Sequence, residues 1–380
     1  MKQASTEDTS FPAIPHVGRR AALALAVLVA ACEASPSEPL PPLEELPADL
    51  AAVELRATGS LGVPYVMLEL RHPDGFSGFV AVDEAARPVW FFRTEGAPFS
   101  FTRRANGNLV LLDSDRGLVE VRPDGSVVRE LVQEPRPGRR MHHDVTVTPH
   151  NTVLFLAEDV RMVGGEAVTG EALWEWVPEA GEVERRWTAF DHLDWTLDRS
   201  DRSRADDWLH ANSVAFGPDG NVLVSFHFLN QVVSIAPGFG GLEWRLGGVR
   251  STIAVPDPPF SGQHTARAVG PGRMLLFDNG YEREVERYSR AVEYELEEET
   301  ARTVWEWRPE RDNWAKVISG AARMSNGHTL VGFGTLADAD SGTTGPIEVY
   351  EVDDDGVVRW HLEVGGEVRS MYRATPLEAL

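Results

Sequence analysis

Residues 261–280 read SGQHTARAVGPGRMLLFDNG, a sequence typical of two short strands joined by a tight turn. His264 stands where the first strand begins, a Gly-Pro-Gly turn occupies residues 270–272, and Asp278 and Asn279 follow the apolar second strand. Antiparallel strands joined by a short turn bring the start of the first strand close to the end of the second. We therefore expect His264 and Asn279 to face the same region of space.

The same hairpin recurs from about residue 53 onward. An earlier unit lies between residues 64 and 92, and five later second strands begin near Asn108, Thr152, Asn221, Arg273 and His328. Each unit continues with a third strand and with a fourth that often carries tryptophan. Repeated units of four short antiparallel strands are the signature of a β-propeller, in which ring closure buries both faces of each blade. The predicted fold class is all-β, a six-bladed β-propeller of four-stranded antiparallel blades; a two-sheet sandwich is the less suitable alternative.

Closure of such a ring joins the two ends of the chain. A C-terminal strand at residues 367–374 is expected to complete the first blade beside residues 54–58. The longest insertion, residues 190–207, stands just before a first strand and is expected to form a flap over one face. The propeller domain is thus predicted to span residues 51–380.

The N-terminal segment has the features of an export signal. Residues 19–20 are both arginine, an apolar stretch too short to span a bilayer follows, and the sequence VAAC ends at Cys32, the chain's single cysteine. Residues 1–32 are therefore predicted to be a lipoprotein-type signal peptide with Cys32 as the lipidation site. An ordinary secretory peptide and a twin-arginine signal are the alternatives. Residues 33–50, rich in Pro and Glu, predict an extended tether.

These features predict the protein's surroundings. A lipid on the N-terminal cysteine places it in the cell envelope, periplasmic or on the outer surface, with membrane contact through the lipid alone. The net charge of −23 over 380 residues argues against a nucleic-acid partner, because phosphates require a basic surface.

Three first strands carry histidine at equivalent positions. His142 and His143 open the first strand of blade 3, His210 that of blade 4 and His264 that of blade 5. His142, His210 and His264 precede the turn prolines of their blades by 7, 8 and 7 residues. First strands line the central channel of a propeller, so these side chains are expected to converge at its mouth. The ends of the second strands reach the same face, which adds His227, Asn230 and Asn279.

Clustered histidines suit two chemistries. Imidazoles with Asp144 have the ligand types of a Zn, Cu or Fe site, which a metal-dependent hydrolase or lyase would use. The sequence contains no HxH or HExxH spacing to support this, so no metal and no other cofactor is predicted. A donor-rich ring also suits a sulfuryl or phosphoryl group, which an imidazole accepts covalently. A third reading is a non-enzymatic, lipid-anchored propeller that binds a ligand or protein partner.

The chain resembles the bacterial arylsulfate sulfotransferases, a family of six-bladed propellers. The likeness rests on HHD at residues 142–144, DWLHANS at 207–213, WRLGG at 244–248, QHTA at 263–266 and FDNG at 277–280. These motifs stand in the family's order.

The resemblance implies an enzyme that moves a sulfuryl group from an aryl sulfate donor to a phenolic acceptor without a nucleotide donor. It implies that His264 is the nucleophile that becomes a transient sulfohistidine. His210 and a histidine of the pair His142 and His143 would bind the sulfuryl oxygens and assist the phenolic oxygen. Asn212 would orient the group.

One position departs from the family pattern. The family commonly has an arginine near the end of the second strand of blade 4, where this chain has His227. Histidine offers neither the permanent charge of arginine nor its fork of donors. Arg245 and Arg267 are the candidates for replacing it. The expected substrate-binding residues are Asn212, His227, Asn230 and Asn279.

Overall fold

Short apolar strands separated by tight turns form six antiparallel sheets, which are the blades of a six-bladed propeller. The computed structural model describes residues 40–135, 138–283, 285–311, 313–334, 347–366 and 368–380. The predicted signal peptide, with Cys32, lies outside these residues, as does the first part of the predicted tether. The predicted fold class is confirmed.

Blades 2 to 5 each consist of four strands that are consecutive in the chain. They are β5 (Pro98–Arg103), β6 (Leu109–Asp113), β7 (Gly117–Val121) and β8 (Val127–Val132); β9 (Met141–Val147), β10 (Val153–Val163), β11 (Glu166–Val177) and β12 (Glu182–Thr188); β13 (Ala211–Phe216), β14 (Val222–Phe226), β15 (Gln231–Ile235) and β16 (Leu242–Leu246); and β17 (His264–Gly270), β18 (Arg273–Asp278), β19 (Arg290–Leu296) and β20 (Ala301–Trp307).

Blades 1 and 6 include strands from both ends of the described chain. Blade 1 contains β2 (Tyr65–Arg71), β3 (Gly78–Val82), β4 (Pro88–Arg93) and β25 (Ser370–Leu377), and blade 6 contains β1 (Glu54–Gly59), β21 (Gly320–Arg323), β22 (Thr329–Phe333), β23 (Ile347–Val352) and β24 (Val358–Gly365). A single helical turn, α1 (Ala48–Ala51), precedes β1. In the part of the chain that the structure describes, no helix has the length and apolar character needed to cross a membrane.

Ring closure differs from the sequence prediction in one respect. The C-terminal strand does complete blade 1, but it does not lie beside residues 54–58. Instead β25 pairs with β2, and β1 pairs with β24 at the edge of blade 6. Burial explains the difference: most of β25 is buried, as a strand facing the channel and its neighbours must be, whereas β1 is largely exposed, as suits an outer edge.

The hydrophobic core lies between blades rather than in one central mass. Between blades 3 and 4, for example, Leu156, Trp208 and Phe226 are fully buried in one cluster. The first strands β5, β9, β13, β17, β21 and β25 contact one another in that order around the ring. Side chains at their starts therefore meet at one end of the central channel.

The insertion before blade 4 is held by a buried carboxylate. Asp198, 1% exposed, accepts hydrogen bonds from Nη1 of Arg245 at 2.7 Å and Nη1 of Arg250 at 2.9 Å. Its carbonyl accepts a hydrogen bond from the indole of Trp208 at 2.7 Å, and Ser200 Oγ donates to the carbonyl of Phe228 at 2.6 Å. The insertion is thus held beside the end of β14, where Ser200 and Arg202 contact the backbone that follows this strand.

Candidate active site

Five histidines from blades 3, 4 and 5 form a continuous row at the channel mouth. The ring centroids of His142 and His143 lie 5.0 Å apart, those of His143 and His210 4.8 Å, those of His210 and His227 5.4 Å, and those of His227 and His264 5.2 Å. The structure therefore brings together all the histidines that the sequence places in the site.

Irregular backbone at the strand starts directs these side chains. The pairing of β9, β13 and β17 with the following strand is interrupted by a bulge near the histidines. His143, His210 and Thr265 have φ values of 57°, 52° and 52°, a region that residues other than glycine seldom adopt. Bulges re-aim side chains, and such strained φ values concentrate at functional sites.

Hydrogen bonds fix the tautomer of His264. Its Nδ1 lies 2.8 Å from Asn279 Oδ1 and 3.1 Å from the carbonyl of Gly262. The amide of Asn279 cannot be reversed, because its Nδ2 donates to the carbonyls of Ala315 at 2.7 Å and Ile318 at 2.9 Å. Both neighbours of Nδ1 are acceptors, so Nδ1 carries the proton and Nε2 carries the lone pair.

The environment of His264 keeps the ring neutral. Burial lowers its pKa to about 3; the Asn279 hydrogen bond opposes this effect, and the cation of Arg373 adds to it. At neutral pH, His264 is thus a neutral imidazole with a free electron pair on Nε2, the form that a nucleophile requires. Burial likewise lowers the pKa of His227 well below its usual range.

The two histidines at the start of β9 have pKa shifts in opposite directions. Burial alone would lower the pKa of His142, but the carboxylate of Glu171, 2.9 Å from its Nε2, outweighs burial and raises that pKa. Burial and the neighbouring histidines lower the pKa of His143 well below its usual range. The two Nδ1 atoms are 2.9 Å apart, close enough for one ring to donate a hydrogen bond to the other.

His210 bridges the two halves of the row. Its Nδ1 lies 2.7 Å from Oδ2 of Asp207, and its ring stacks on Phe228 with the centroids 4.7 Å apart. A cavity of about 310 Å³ opens at this side of the row. Its lining includes Phe99, His142, His143, Glu171, Asp207 and His210.

Asp144 organises the floor of the channel. Its carboxylate accepts hydrogen bonds from Ser100 Oγ at 2.6 Å, from the backbone of Val214 at 2.9 Å, and from the guanidiniums of Arg267 and Arg373 at 2.7 Å each. Burial would raise its pKa, but the two arginines lower it to about 2. Since these donors occupy both of its oxygens, Asp144 positions other groups instead of acting as a metal ligand.

The floor carries a net positive charge. Burial raises the pKa of Glu69 to about 8, so this neighbour of Arg373 is mostly protonated at pH 7. The ionised groups are then Asp144 against Arg267 and Arg373, an excess of one positive charge. An anionic group is favoured at such a place.

The asparagines have different surroundings. Asn212 donates from Nδ2 to the carbonyl of Gln263 at 2.7 Å, and its Oδ1 is buried without a partner. Asn230 accepts from the backbone of Gly262 at 2.8 Å and donates to Glu282 at 2.7 Å. The amides of Asn230 and Asn279 are therefore occupied by protein partners, so both hold the site's shape.

The arginine beside His227 is one that the sequence analysis missed. Arg267 pairs with Asp144, and Arg245 pairs with Asp198 in the insertion, so neither stands at His227. Arg202 of the insertion instead donates to the carbonyl of His227. The only sequence signal for it was the abundance of arginine in the insertion. Arg373 was missed too, because it arrives on the closing strand.

A metal is not suggested by the histidine row. Among the described residues, the group whose ligand atoms are close enough to share an ion is Glu348, His361 and Glu363, on blade 6. A larger cavity of about 930 Å³ lies there, lined by Glu348 and Glu363 among others. We place the active site at the smaller cavity, because the histidines and the buried charges adjoin that one.

Comparison with known proteins agrees with this geometry. The chain is 34% identical over 105 residues to the arylsulfate sulfotransferase AssT of Escherichia coli O6:H1 (strain CFT073), a match covering 24% of this chain and 17% of that protein. The aligned part is thus about a sixth of the length of that relative.

Solved structures show the same fold. A Bacteroides caccae protein of unknown function covers 83% of this chain with 99% of its own, at 15% identity and a TM-score of 0.57. A virginiamycin B lyase from Staphylococcus aureus covers 82% with 99% of its own, at 8% identity and a TM-score of 0.44, too distant to support an inference. The arylsulfotransferase (ASST) family model matches residues 63–373, which include strands of all six blades and the whole row of histidines. The chain belongs to the arylsulfotransferase family.

Proposed function

We propose that this protein transfers a sulfuryl group from an aryl sulfate to a phenol in two steps through His264. The observation that carries the proposal is a buried imidazole whose Nδ1 is committed to Asn279 and whose Nε2 is unprotonated at neutral pH. Membership of the arylsulfotransferase family and the stretch shared with an arylsulfate sulfotransferase support it.

In the first step, the lone pair of His264 Nε2 forms a bond to sulfur. The bond between sulfur and the aryl oxygen breaks, and its electron pair leaves on that oxygen. The mechanism assigns one proton to His142 Nδ1, which the raised pKa of His142 favours, and one to His143 Nε2. His143 gives its Nε2 proton to the oxygen and receives the Nδ1 proton of His142 across the 2.9 Å contact. The donor leaves as a neutral phenol, and His264 is left as sulfohistidine.

The second step is the reverse with a different phenol. The acceptor oxygen attacks sulfur, the N–S bond breaks, and its electron pair returns to His264 Nε2. The acceptor's proton passes to Nε2 of His143, and the Nδ1 proton of His143 returns to His142. Every group is then in its starting state, and the balance requires no cofactor.

Polar groups around the row bind the sulfuryl oxygens. His210, held at Nδ1 by Asp207, is assigned to an oxygen of the group. Asn212 orients the segment that carries the nucleophile, because its amide donates to Gln263, the residue before His264. The excess positive charge on the channel floor stabilises the charge that develops on those oxygens.

The test is a trapped intermediate. The protein is mixed with 4-nitrophenyl sulfate without an acceptor and analysed by intact mass and peptide mapping. We expect one added sulfuryl group on His264, released when a phenol is added, and none in His264→Asn. His150→Asn, at an exposed turn, is the matched control and should behave as wild type. Absence of adduct and of nitrophenolate release would leave a propeller that only binds a ligand or partner.

The location is a separate proposal. The sequence before residue 33 supports a lipid anchor on Cys32 in the cell envelope, periplasmic or on the outer surface. Labelled palmitate should be incorporated into the wild type and not into Cys32→Ser when both are expressed in bacteria. Export of an unlabelled wild type would instead favour an ordinary secretory or twin-arginine signal.

A further inference from the structure

Arg202 is a largely buried cation, and no described residue brings a carboxylate closer to it than 3.9 Å. Its side chain is 15% exposed, and the carboxylate that faces it, Glu282, stays 3.9 Å away and is itself 58% exposed. By contrast, Arg267 and Arg373 on the channel floor each meet a carboxylate oxygen at 2.7 Å. A guanidinium keeps its charge when buried, so such a position favours an anion that comes from outside the chain.

The contacts of Arg202 leave donors free. Its Nη2 donates to the carbonyls of His227 and Phe228 and to Oδ1 of Asn230. Its Nη1 lies 3.5 Å from Nε2 of His227, too far for a strong bond, and its Nε is buried without a partner. Of the five N–H groups of the guanidinium, those on Nη1 and Nε therefore lack a good acceptor within the described residues.

Two aromatic rings hold this guanidinium in place. Its central carbon lies 4.6 Å from the ring centroid of Tyr281 and 5.6 Å from that of Phe228. The Nζ atom of Lys316 lies 5.0 Å from the same Tyr281 centroid, which adds a second positive charge. The cation is thus fixed beforehand, so little conformational entropy is lost when an anion binds.

The position of Arg202 relates it to the nucleophile. His227, which Arg202 contacts, has its ring centroid 5.2 Å from that of His264. Asn230, which accepts from Arg202, also accepts from the backbone of Gly262, whose carbonyl faces His264 Nδ1. Arg202 and His264 are therefore joined through two short chains of contacts at the same end of the channel.

We propose that Arg202 is an anion-binding residue that contacts the sulfuryl oxygens of the donor at the His264 site. The inference rests on the proposed function and adds to it a fixed cation. The insertion supplies this cation beside His227, the neutral histidine that follows β14. The guanidinium donates hydrogen bonds to oxygens whose charge changes as the S–O bond breaks and the N–S bond forms. It exchanges no proton itself.

The experiment compares Arg202→Gln and Arg202→Lys with wild type. Arg199→Gln is the matched control, because Arg199 lies on the same insertion, is exposed and stacks on Trp195. Two readouts are used: kcat/KM for 4-nitrophenyl sulfate with a phenol acceptor, and the rise in thermal unfolding midpoint with added sodium sulfate, with sodium chloride at equal ionic strength for comparison.

We expect Arg202→Gln to lower kcat/KM by about 100-fold or more and to abolish the sulfate-specific rise in midpoint. Arg202→Lys should recover part of both, since it restores the charge but not the fork of donors. Arg199→Gln should match wild type in both.

The two proposals fail in different ways. If the wild type forms no sulfohistidine, the transfer function is wrong, while the sulfate titration still decides whether Arg202 binds an oxyanion. If the wild type is active and Arg202→Gln keeps both its kcat/KM within threefold and its sulfate response, Arg202 is only a structural contact of the insertion. An unchanged thermal unfolding midpoint in sodium chloride verifies that Arg202→Gln is folded.

Discussion

At the scale of single residues, the site works by assigning protons. Five imidazoles stand in one row, yet an amide oxygen holds the Nδ1 proton of His264, the proposed nucleophile, and a carboxylate raises the pKa of His142. Neither assignment comes from the histidines themselves. The positions that decide them are Asn279 and Glu171, whose side chains the proposed reaction does not consume.

Asn279→Ala should slow formation of the sulfohistidine by about 100-fold or more, because His264 loses the closer of the two acceptors that hold its proton on Nδ1. The measurement is single-turnover adduct formation, with the His264 tautomer read from its ¹⁵N chemical shifts. Asn106→Ala, on an exposed turn of blade 2, serves as the control. A rate equal to wild type with a mixed tautomer would contradict the assignment.

Glu171→Gln should shift the alkaline limb of the kcat profile to lower pH. Glu171 raises the pKa of His142, so its neutral isostere should lower that pKa. The glutamine keeps the oxygen that accepts from the backbone of Ala211, which separates this effect from loss of structure. An unmoved limb would show that His142 is not the proton source.

At the scale of elements, the insertion before blade 4 is held chiefly by the buried carboxylate of Asp198 and its arginine partners. Arg245 lies in the motif WRLGG on β16 and reaches the buried carboxylate of Asp198. The motif thus has a role one step removed from the reaction: it holds the segment that carries Arg202. This also explains why Arg245 is not the arginine that stands at His227.

Arg245→Gln should therefore destabilise the protein by about 3 kcal/mol or more, because it leaves a buried carboxylate poorly paired. Arg250→Gln, which removes the more exposed partner of Asp198, should cost less than about 1 kcal/mol. Urea unfolding measures both, and limited proteolysis should cut Arg245→Gln first within residues 190–207. Equal losses for the two variants would contradict the role given to Arg245.

At the scale of the whole molecule, the two strands that close the ring contribute unequally to folding. The strand β1 is an exposed fifth strand on blade 6, while β25 is a buried strand between the channel and β2. Removing residues 370–380 should therefore prevent folding, whereas removing residues 48–59 should leave a folded ring with a lower midpoint. Circular dichroism and size exclusion compare the two. A folded protein without β25 would contradict this.

A second whole-molecule property is the dependence of stability on pH. The folded pKa of Glu69, about 8, exceeds its ordinary value of 4.5, so the folded state holds a proton that the unfolded chain has released. Its stabilising contribution is complete below pH 4.5 and is lost as the pH rises through 8. Glu69→Gln should remove this loss, at about 1.4 kcal/mol per unit of pKa shift, in urea unfolding at pH 5 and pH 9. An equal change in unfolding free energy between pH 5 and pH 9 in wild type and Glu69→Gln would contradict this role of Glu69.

Much of this architecture was open to prediction from the sequence, for a physical reason. Turns and alternating strands are local signals, and ring geometry turns equal positions in successive blades into neighbours, which is how His142, His210 and His264 were linked. The position of Arg202 could not be predicted from the sequence, because it depends on an ion pair between Arg245 and Asp198, which are 47 residues apart in the chain. The prediction of how the two chain ends pair was wrong, because burial rather than sequence order selects the partner strand.

The C-terminal strand β25 also carries part of the proposed active site. Arg373 reaches Asp144 across 229 residues of chain, and it does so only when β25 has taken its place beside β2. A chain in which β25 has not yet docked thus has every histidine of the row but lacks the second arginine beside Asp144. Under the proposed function, we expect such a chain to be as inactive as one that has lost its nucleophile.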